Sequence, residues 1–135
     1  MKVTADTNLL VRIVVRDDEA QARTALKLLA GAEAVAVSLP CFCEFVWVLD
    51  RIYRLSRDKI AMSVRMIMER GNVTTDTAAV TAGLRILDAG GDFADGVIAA
   101  AGLSLGGETF VSFDRKAVAR LSAMGMPAQH ASEFA

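Results

Sequence analysis

One histidine, two cysteines and two prolines are all that this 135-residue chain holds of those residue types. With a single imidazole and one Cys pair, Cys41 and Cys43, a structural zinc site has almost no support. The two thiols stand two apart on a predicted helix and point in different directions. A disulfide between them is therefore not expected, and buried thiols are. An excess of charge is missing too, since 15 Lys and Arg face 16 Asp and Glu. That balance argues against a chain that coats a polyanion by bulk attraction and leaves room only for local basic patches. There is no apolar run long enough to cross a bilayer; the longest, around residues 97–105, is too short. No signal-peptide core precedes the strand-like residues 1–6, so a cytoplasmic protein without a membrane role is expected. Repeats and low-complexity tracts are absent.

What the chain does have is apolar surface to bury: 53% of its residues are hydrophobic and its mean hydropathy is +0.38. Much of this is alanine, which packs helices closely, and the excess suits a self-association or partner surface. The length favours one domain over residues 1–135 that buries about two thirds of its unfolded surface.

Short apolar runs alternate with helical patterns from end to end. Strands are predicted over residues 2–5, 34–37, 73–74 and 109–112, with an edge strand near Gln129 and His130. Helices are predicted over residues 7–15 and 115–123, and from start signals at Asp17 or Asp18, Ser38, Ser56, Asp76 or Thr77, and Asp92. Their inward faces are read as Ala22, Ala25, Leu26 and Leu29; then Phe42, Phe45, Val46, Leu49 and Tyr53; then Ile60, Val64, Ile67 and Met68. Alternation of this kind implies an α/β fold, a short parallel sheet flanked by helices on both faces. Chemistry in open sheets gathers beyond the carboxyl ends of the strands. Asp6 follows the first strand and Asp114 the fourth, so both are expected on one rim.

Four acids sit in apolar sequence settings. Asp6 ends an apolar strand, where a buried charge is costly unless paired or bound to a cation. Glu44 lies in a helix of Cys, Phe, Val and Trp. Asp95 opens an Ala/Ile/Val-rich helix, and Asp114 stands at a strand-to-helix turn. An oxygen-only set of this kind suits Mg²⁺ or Mn²⁺, which activates water and stabilises charge on a phosphate under attack. Thr7 or Ser112 can support the carboxylates from behind. Three of the acids also have a plainer reading: Asp95 opposing the helix dipole, Asp114 capping its helix, Glu44 pairing with Arg51 or Lys59; Asp6 is the hardest to explain in that way. Asp92 stands where a cap belongs, with its oxygen expected on the N–H of Ala94 or Asp95, and also stands near enough to Asp95 to reach a metal through water. Arg12, Arg16, Arg115 and Lys116 flank the acids and can hold phosphates. His130 has no acid neighbour and reads as structural or exposed; Trp47 and the methionines read as core or interface.

These residues also follow a known order. Asp6-Thr7-Asn8-Leu9-Leu10-Val11-Arg12 resembles the opening motif of PIN-domain nucleases. Ser38-Leu39-Pro40, Glu44 and Trp47-Val48-Leu49 resemble the second motif. The run from Asp92 through Asp95 to Ala100 resembles the third, and Ser112-Phe113-Asp114-Arg115-Lys116 the fourth. Spacing and length are similar to the VapC toxins of bacterial toxin–antitoxin pairs over essentially the whole chain. The resemblance implies a PIN-like fold and a Mg²⁺- or Mn²⁺-dependent endoribonuclease, with Asp6, Glu44, Asp95 and Asp114 as catalytic, metal-binding acids. It also implies an RNA substrate, a VapB-type antitoxin and a homodimer. Two positions depart from the family pattern. Ser112 replaces a common threonine and keeps the hydroxyl. Gly96 replaces a common alanine and is expected only to loosen its helix slightly.

Other classes of protein fit the sequence less well. Haloacid-dehalogenase-like phosphatases want an Asp two residues after the first, where this chain has Asn8. Receiver domains want a phospho-acceptor Asp after a mid-chain strand and a Lys after a late one, and neither is evident. A PIN-like fold used only for partner binding is the non-enzymatic alternative, and the complete acid set speaks against it.

Overall fold

The computed structural model describes residues 1–135. Its contacts divide the chain into two units, Met1–Asp76 and Thr77–Ala135.

The first unit runs β1 (Lys2–Thr4), α1 (Thr7–Val14), α2 (Glu19–Gly31), β2 (Ala34–Ala36), α3 (Leu39–Arg51), α4 (Arg57–Met68) and β3 (Val73–Thr74). The strands form one parallel sheet in the order β1-β2-β3, with Val3 opposite Val35 and Val35 opposite Val73. Parallel neighbours need crossovers, which the helix pairs α1–α2 and α3–α4 supply. Two bonds past the strand ends, Ala5 N–H to Ala36 O at 2.9 Å and Val37 N–H to Thr74 O at 3.0 Å, carry the ladder to the carboxyl rim. The helices start where the sequence supplies a cap. Asp18 accepts from Gln21 N–H at 3.0 Å, Ser38 from Cys41 N–H at 3.3 Å and Ser56 from Lys59 N–H at 3.2 Å. Leu10, Val11, Leu29, Val35, Phe42, Phe45, Leu49 and Val64 are fully buried between them.

Most of the expected inward faces hold; Leu26, Tyr53 and Met68 are only half-buried. Tyr53 lies past the end of α3, where its hydroxyl accepts from Arg12 Nη2 at 2.9 Å instead of entering the core. The thiols are free as expected, with Cys41 buried. No helix is long and apolar enough to cross a membrane.

The second unit runs α5 (Thr77–Asp88), α6 (Phe93–Ser104), β4 (Phe110–Ser112), α7 (Arg115–Ala123) and β5 (Ala128–His130), closing on a short 3-10 turn at Ala131–Phe134. β4 and β5 pair in parallel, Val111 opposite Gln129. Ile86 from α5, Ala99 from α6 and Leu121 from α7 form a buried cluster, with Phe110, Met124, Met126 and Ala128 packed against it. The pairing is parallel throughout, as expected, but it falls into a three-stranded and a two-stranded sheet. A single rim shared by Asp6 and Asp114 is therefore not something that sheet hydrogen bonding supplies. With β1 bonded to β2 and β4 to β5, runs of three residues have few ladder groups left to extend further.

The α5–α6 crossing overturns one expectation. A β-carbon on Gly96 would meet Ala82 O at 2.5 Å and Gly83 Cα at 2.8 Å, and one on Gly83 would meet the Phe93 ring at 2.7 Å. Gly96 does not loosen α6; it lets the two backbones touch. Gly102, further along the same helix, has no atom within 4 Å of a built β-carbon. Gly96→Ala is therefore expected to destabilise the protein by about 1–3 kcal/mol, because the obstacle is backbone and cannot swing away. Gly102→Ala is expected to stabilise it by about 0.5–1 kcal/mol through helix propensity. Urea titration of both variants checks this, and equal midpoints would refute the close-crossing account.

Candidate active site

In the first unit, Asp6 occupies the N-cap position of α1 in extended conformation, φ −87° and ψ 156°. Its side chain makes no capping bond. Asp18, Ser38, Ser56, Asp92 and Asp114 hold the same position on their own helices and all do accept a backbone N–H. Asp6 thus forgoes a bond worth about 1 kcal/mol at an N-cap and leaves both oxygens off its helix. Asp6 is exposed, while its neighbours Ala5 and Thr7 are 4% and 6% exposed. The expectation that it sits among interior residues is thus corrected: the turn from β1 into α1 sends the flanking side chains inward and this one outward. Glu44 is likewise exposed, because Cys41, Phe42, Phe45 and Val46 take the inner faces of α3. No ion pair joins Glu44 to Arg51, whose contact is with Asp50 at 3.4 Å.

Cys41 ties these acids together. Burial pushes its thiol above the ordinary range; a hydrogen bond from Thr7 opposes this, and the negative charges of Asp6 and Glu44 add to it. Thr7 Oγ1 reaches Cys41 Sγ at 3.9 Å, which locks the first turn of α1 against α3. The Thr7 hydroxyl is thus directed at Cys41, and no bond from it to the Asp6 carboxylate is present. The buried hydroxyl of Thr75, one residue past β3, has no hydrogen-bond partner, a feature without any local sequence signal. A cavity of about 390 Å³ opens beside Asp6, lined by Asn8, Leu9, Arg12, Ala20, Gln21, Thr24 and Ala25. Arg12 is committed within it, bonded to Asp17 and to the Tyr53 hydroxyl. Arg16 stands 3.7 Å from Glu19.

In the second unit, Asp92 caps α6 by accepting from Ala94 N–H at 3.0 Å, one of the two donors expected for it. Asp95, in the first turn of α6, is half-buried, and its carboxyl is held above its ordinary range. Burial is the main cause, the charges of Asp92 and Asp114 add to it, and Arg120 opposes. The stem of Arg120 crosses Gly91, where a β-carbon would lie 2.7 Å from its Cδ. Sequence reading missed Arg120, which sits two turns into α7 with no nearby motif to flag it.

Asp114 is exposed and caps α7, as its plainer reading held. Oδ1 takes both N–H donors, from Lys116 at 3.0 Å and Ala117 at 3.1 Å, which leaves Oδ2 open. Ser112 Oγ accepts the Asp114 N–H at 3.0 Å and so fixes the turn from β4 into α7. Arg115 and Lys116 are exposed and carry no ion pair, unlike Arg12 and Arg16.

Neither unit alone gathers three acids, thiols or imidazoles tightly enough to hold a metal ion. The donor chemistry nevertheless fits one. Around Asp95 stand two further carboxylates, and the net effect of the site is to disfavour Asp95 in its charged form, the imbalance that a divalent cation relieves.

Residues 3–123 match the PIN domain family, and the chain belongs to it. The match spans Asp6, Glu44, Asp95 and Asp114, and it crosses both units. PIN domains are in general metal-dependent nucleases, so membership points to nuclease chemistry. No curated protein matches the chain.

A stability consequence follows from Asp95. A carboxyl whose folded pKa exceeds its unfolded value binds its proton more tightly when folded. Its ionisation therefore costs nothing below the unfolded pKa, costs progressively more as pH rises toward the folded pKa, and costs the full amount above it. Asp95→Asn is expected to raise the melting temperature of the metal-free protein at neutral pH by about 1–3 °C, a small gain because water still screens the carboxyl. Below the ordinary aspartate range the gain should vanish. Scanning calorimetry at both pH values checks it; a gain equal at both would show that charge is not the cause.

Proposed function

We propose that this PIN domain, one domain over residues 1–135, is a cytoplasmic metal-dependent endoribonuclease. We infer further that it is the toxin of a toxin–antitoxin pair of the VapC kind. The observation that supports the reading is the acid group about Asp95, only partly offset by Arg120, in a chain of the PIN family. In this reading Asp6, Glu44, Asp95 and Asp114 serve one Mg²⁺ or Mn²⁺ site, an assignment that rests on the order of the family motifs. Held there, such a cation lowers the pKa of water and offsets charge on the phosphate.

The chain's own residues divide the remaining work. Asp6 offers a carboxylate that its helix does not use, and Thr7 anchors the turn that presents it. Asp114 spends Oδ1 on its helix and keeps Oδ2 for the cation, while Ser112 steadies the backbone. Asp92 acts as a cap that orients the first turn of α6. Arg115 and Lys116, free of acids, hold substrate phosphates; Arg12 and Arg16 can do so only by leaving Asp17 and Glu19.

Cleavage of labelled RNA by purified protein tests the site. Wild type should cut with Mg²⁺ or Mn²⁺, stop in EDTA and recover on adding metal. Asp6→Asn should fall by about a hundredfold or more, since it removes a charge at the metal. Asp92→Ser, which keeps a cap, should retain most activity. Undiminished cleavage in EDTA or by Asp6→Asn would sink the assignment.

The partner half of the proposal rests on apolar side chains left in water. Trp47 and Ile52 at α3, and Met62 and Met66 on α4, are 48–67% exposed. We assign this surface to a second copy of the chain and to an apolar helix of a VapB-type antitoxin. Light scattering should give a dimer, and co-expression with the neighbouring gene should yield a complex. A monomer with no co-purifying partner counts against both.

A further inference from the structure

Three of the six phenylalanines, Phe42, Phe45 and Phe93, are fully buried. Phe113 is 79% exposed, although it stands next to Asp114 and one residue from β4. A large ring left in water beside a site is unusual enough to need a reason, and this one is also held in place. His130 Nδ1 accepts from Ser132 N–H at 3.2 Å, so the ring proton belongs on Nε2, which donates to the Phe113 carbonyl at 2.9 Å. The imidazole meets the Phe113 ring edge-on, with centroids 5.9 Å apart and planes at 86°. At the other end of that same peptide group, Ser112 Oγ takes the N–H of Asp114. The peptide group that follows Phe113 is thus held at both its oxygen and its nitrogen, and the chain's one histidine finds a use as the brace.

We propose that Phe113 is a stacking platform for an unpaired base of the RNA substrate, oriented by His130 and flanked by the phosphate-holding Arg115 and Lys116. This rests on the ribonuclease reading and deepens it. Binding of single strands combines a ring on which a base lies flat with cations that track the backbone. Phe113-Asp114-Arg115-Lys116 places a ring, a metal acid and two unpaired cations in consecutive positions, all of them exposed. A protein partner is the weaker reading of the same ring, because the buried centre of a protein interface is depleted of charge whereas three charged residues follow this ring directly in the chain. A ring already fixed also loses little freedom when a base settles on it.

Binding is measured with full-length protein in EDTA, so that no strand is cut. The probes are fluorescein-labelled oligouridine and the same oligomer carrying abasic sites. Wild type should favour the base-bearing strand. Phe113→Ala and Phe113→Leu should each lose about tenfold in affinity for it and none for the abasic strand, while Phe113→Trp keeps the preference. Arg115→Ala and Lys116→Ala should weaken both strands alike and reduce the salt dependence, because they act on phosphate. His130→Ala should fall between Phe113→Ala and wild type, and His130→Gln, with a donor still available, should recover part of the loss. Phe113→Leu binding like wild type would overturn the platform while leaving the nuclease reading intact. So would a Phe113→Ala variant that changes only the oligomeric state by sedimentation. Wild type that neither binds these strands nor cleaves RNA with metal would overturn both.

Discussion

The close crossing of α5 and α6, where neither Gly83 nor Gly96 has room for a β-carbon, fixes where the acids of the second unit stand. Asp95 adjoins Gly96, and Asp92 caps the same helix one turn earlier. Backbone contact at the glycines sets the height of that first turn, and the half-burial of Asp95 follows from it. Its carboxyl is then harder to ionise, with Asp92 and Asp114 adding their charge and Arg120 offsetting part of it. A side chain as small as alanine at position 96 would lift the helix and alter every one of these distances. Packing and electrostatics are in this way a single arrangement.

The acids differ in what their helices ask of them. A helix N-terminus leaves donors unsatisfied, and an Asp placed there normally answers one of them. Asp92 and Asp114 do so, Asp114 with one oxygen for two donors. Asp6 does not, although its backbone has the capping conformation. The same residue type in the same local position therefore serves the backbone in one place and does not in another. Which of the two happens depends on how the turn aims the side chain, and a residue name alone does not carry that information.

This explains what could be read in advance. Element positions were legible because caps and apolar periodicity are local signals. Asp18, Ser38, Ser56 and Asp92 each open a helix where a capping residue precedes an apolar pattern, and β3 and α7 have the expected bounds. The family was legible through the order of its motifs, and the match to the PIN domain family bears out that resemblance. Burial of the acids was not. Apolar neighbours in sequence suggested buried settings, yet Asp6, Glu44 and Asp114 face water, since neighbours along a helix or turn point in other directions. Gly96 was misread because its partner is the Ala82 and Gly83 backbone, thirteen or more residues away. Arg120, Thr75 and the His130 brace on Phe113 depend on contacts of the same non-local kind.

The short connection between α5 and α6 also bears on the order in which the chain gains structure. Residues 89–92 alone separate the two helices, so their contacts close a small loop and lose little chain entropy. Such local pairing is fast. The sheet of the first unit is different, because Val3 must find Val35, and Val35 must find Val73, across whole helix pairs. Those strands are two or three residues long and gain few hydrogen bonds when they meet. They have little to hold them until α1 to α4 have already collapsed around them. The helical hairpin is thus suited to be an early folding nucleus, and the parallel sheet a late product of the helices that enclose it.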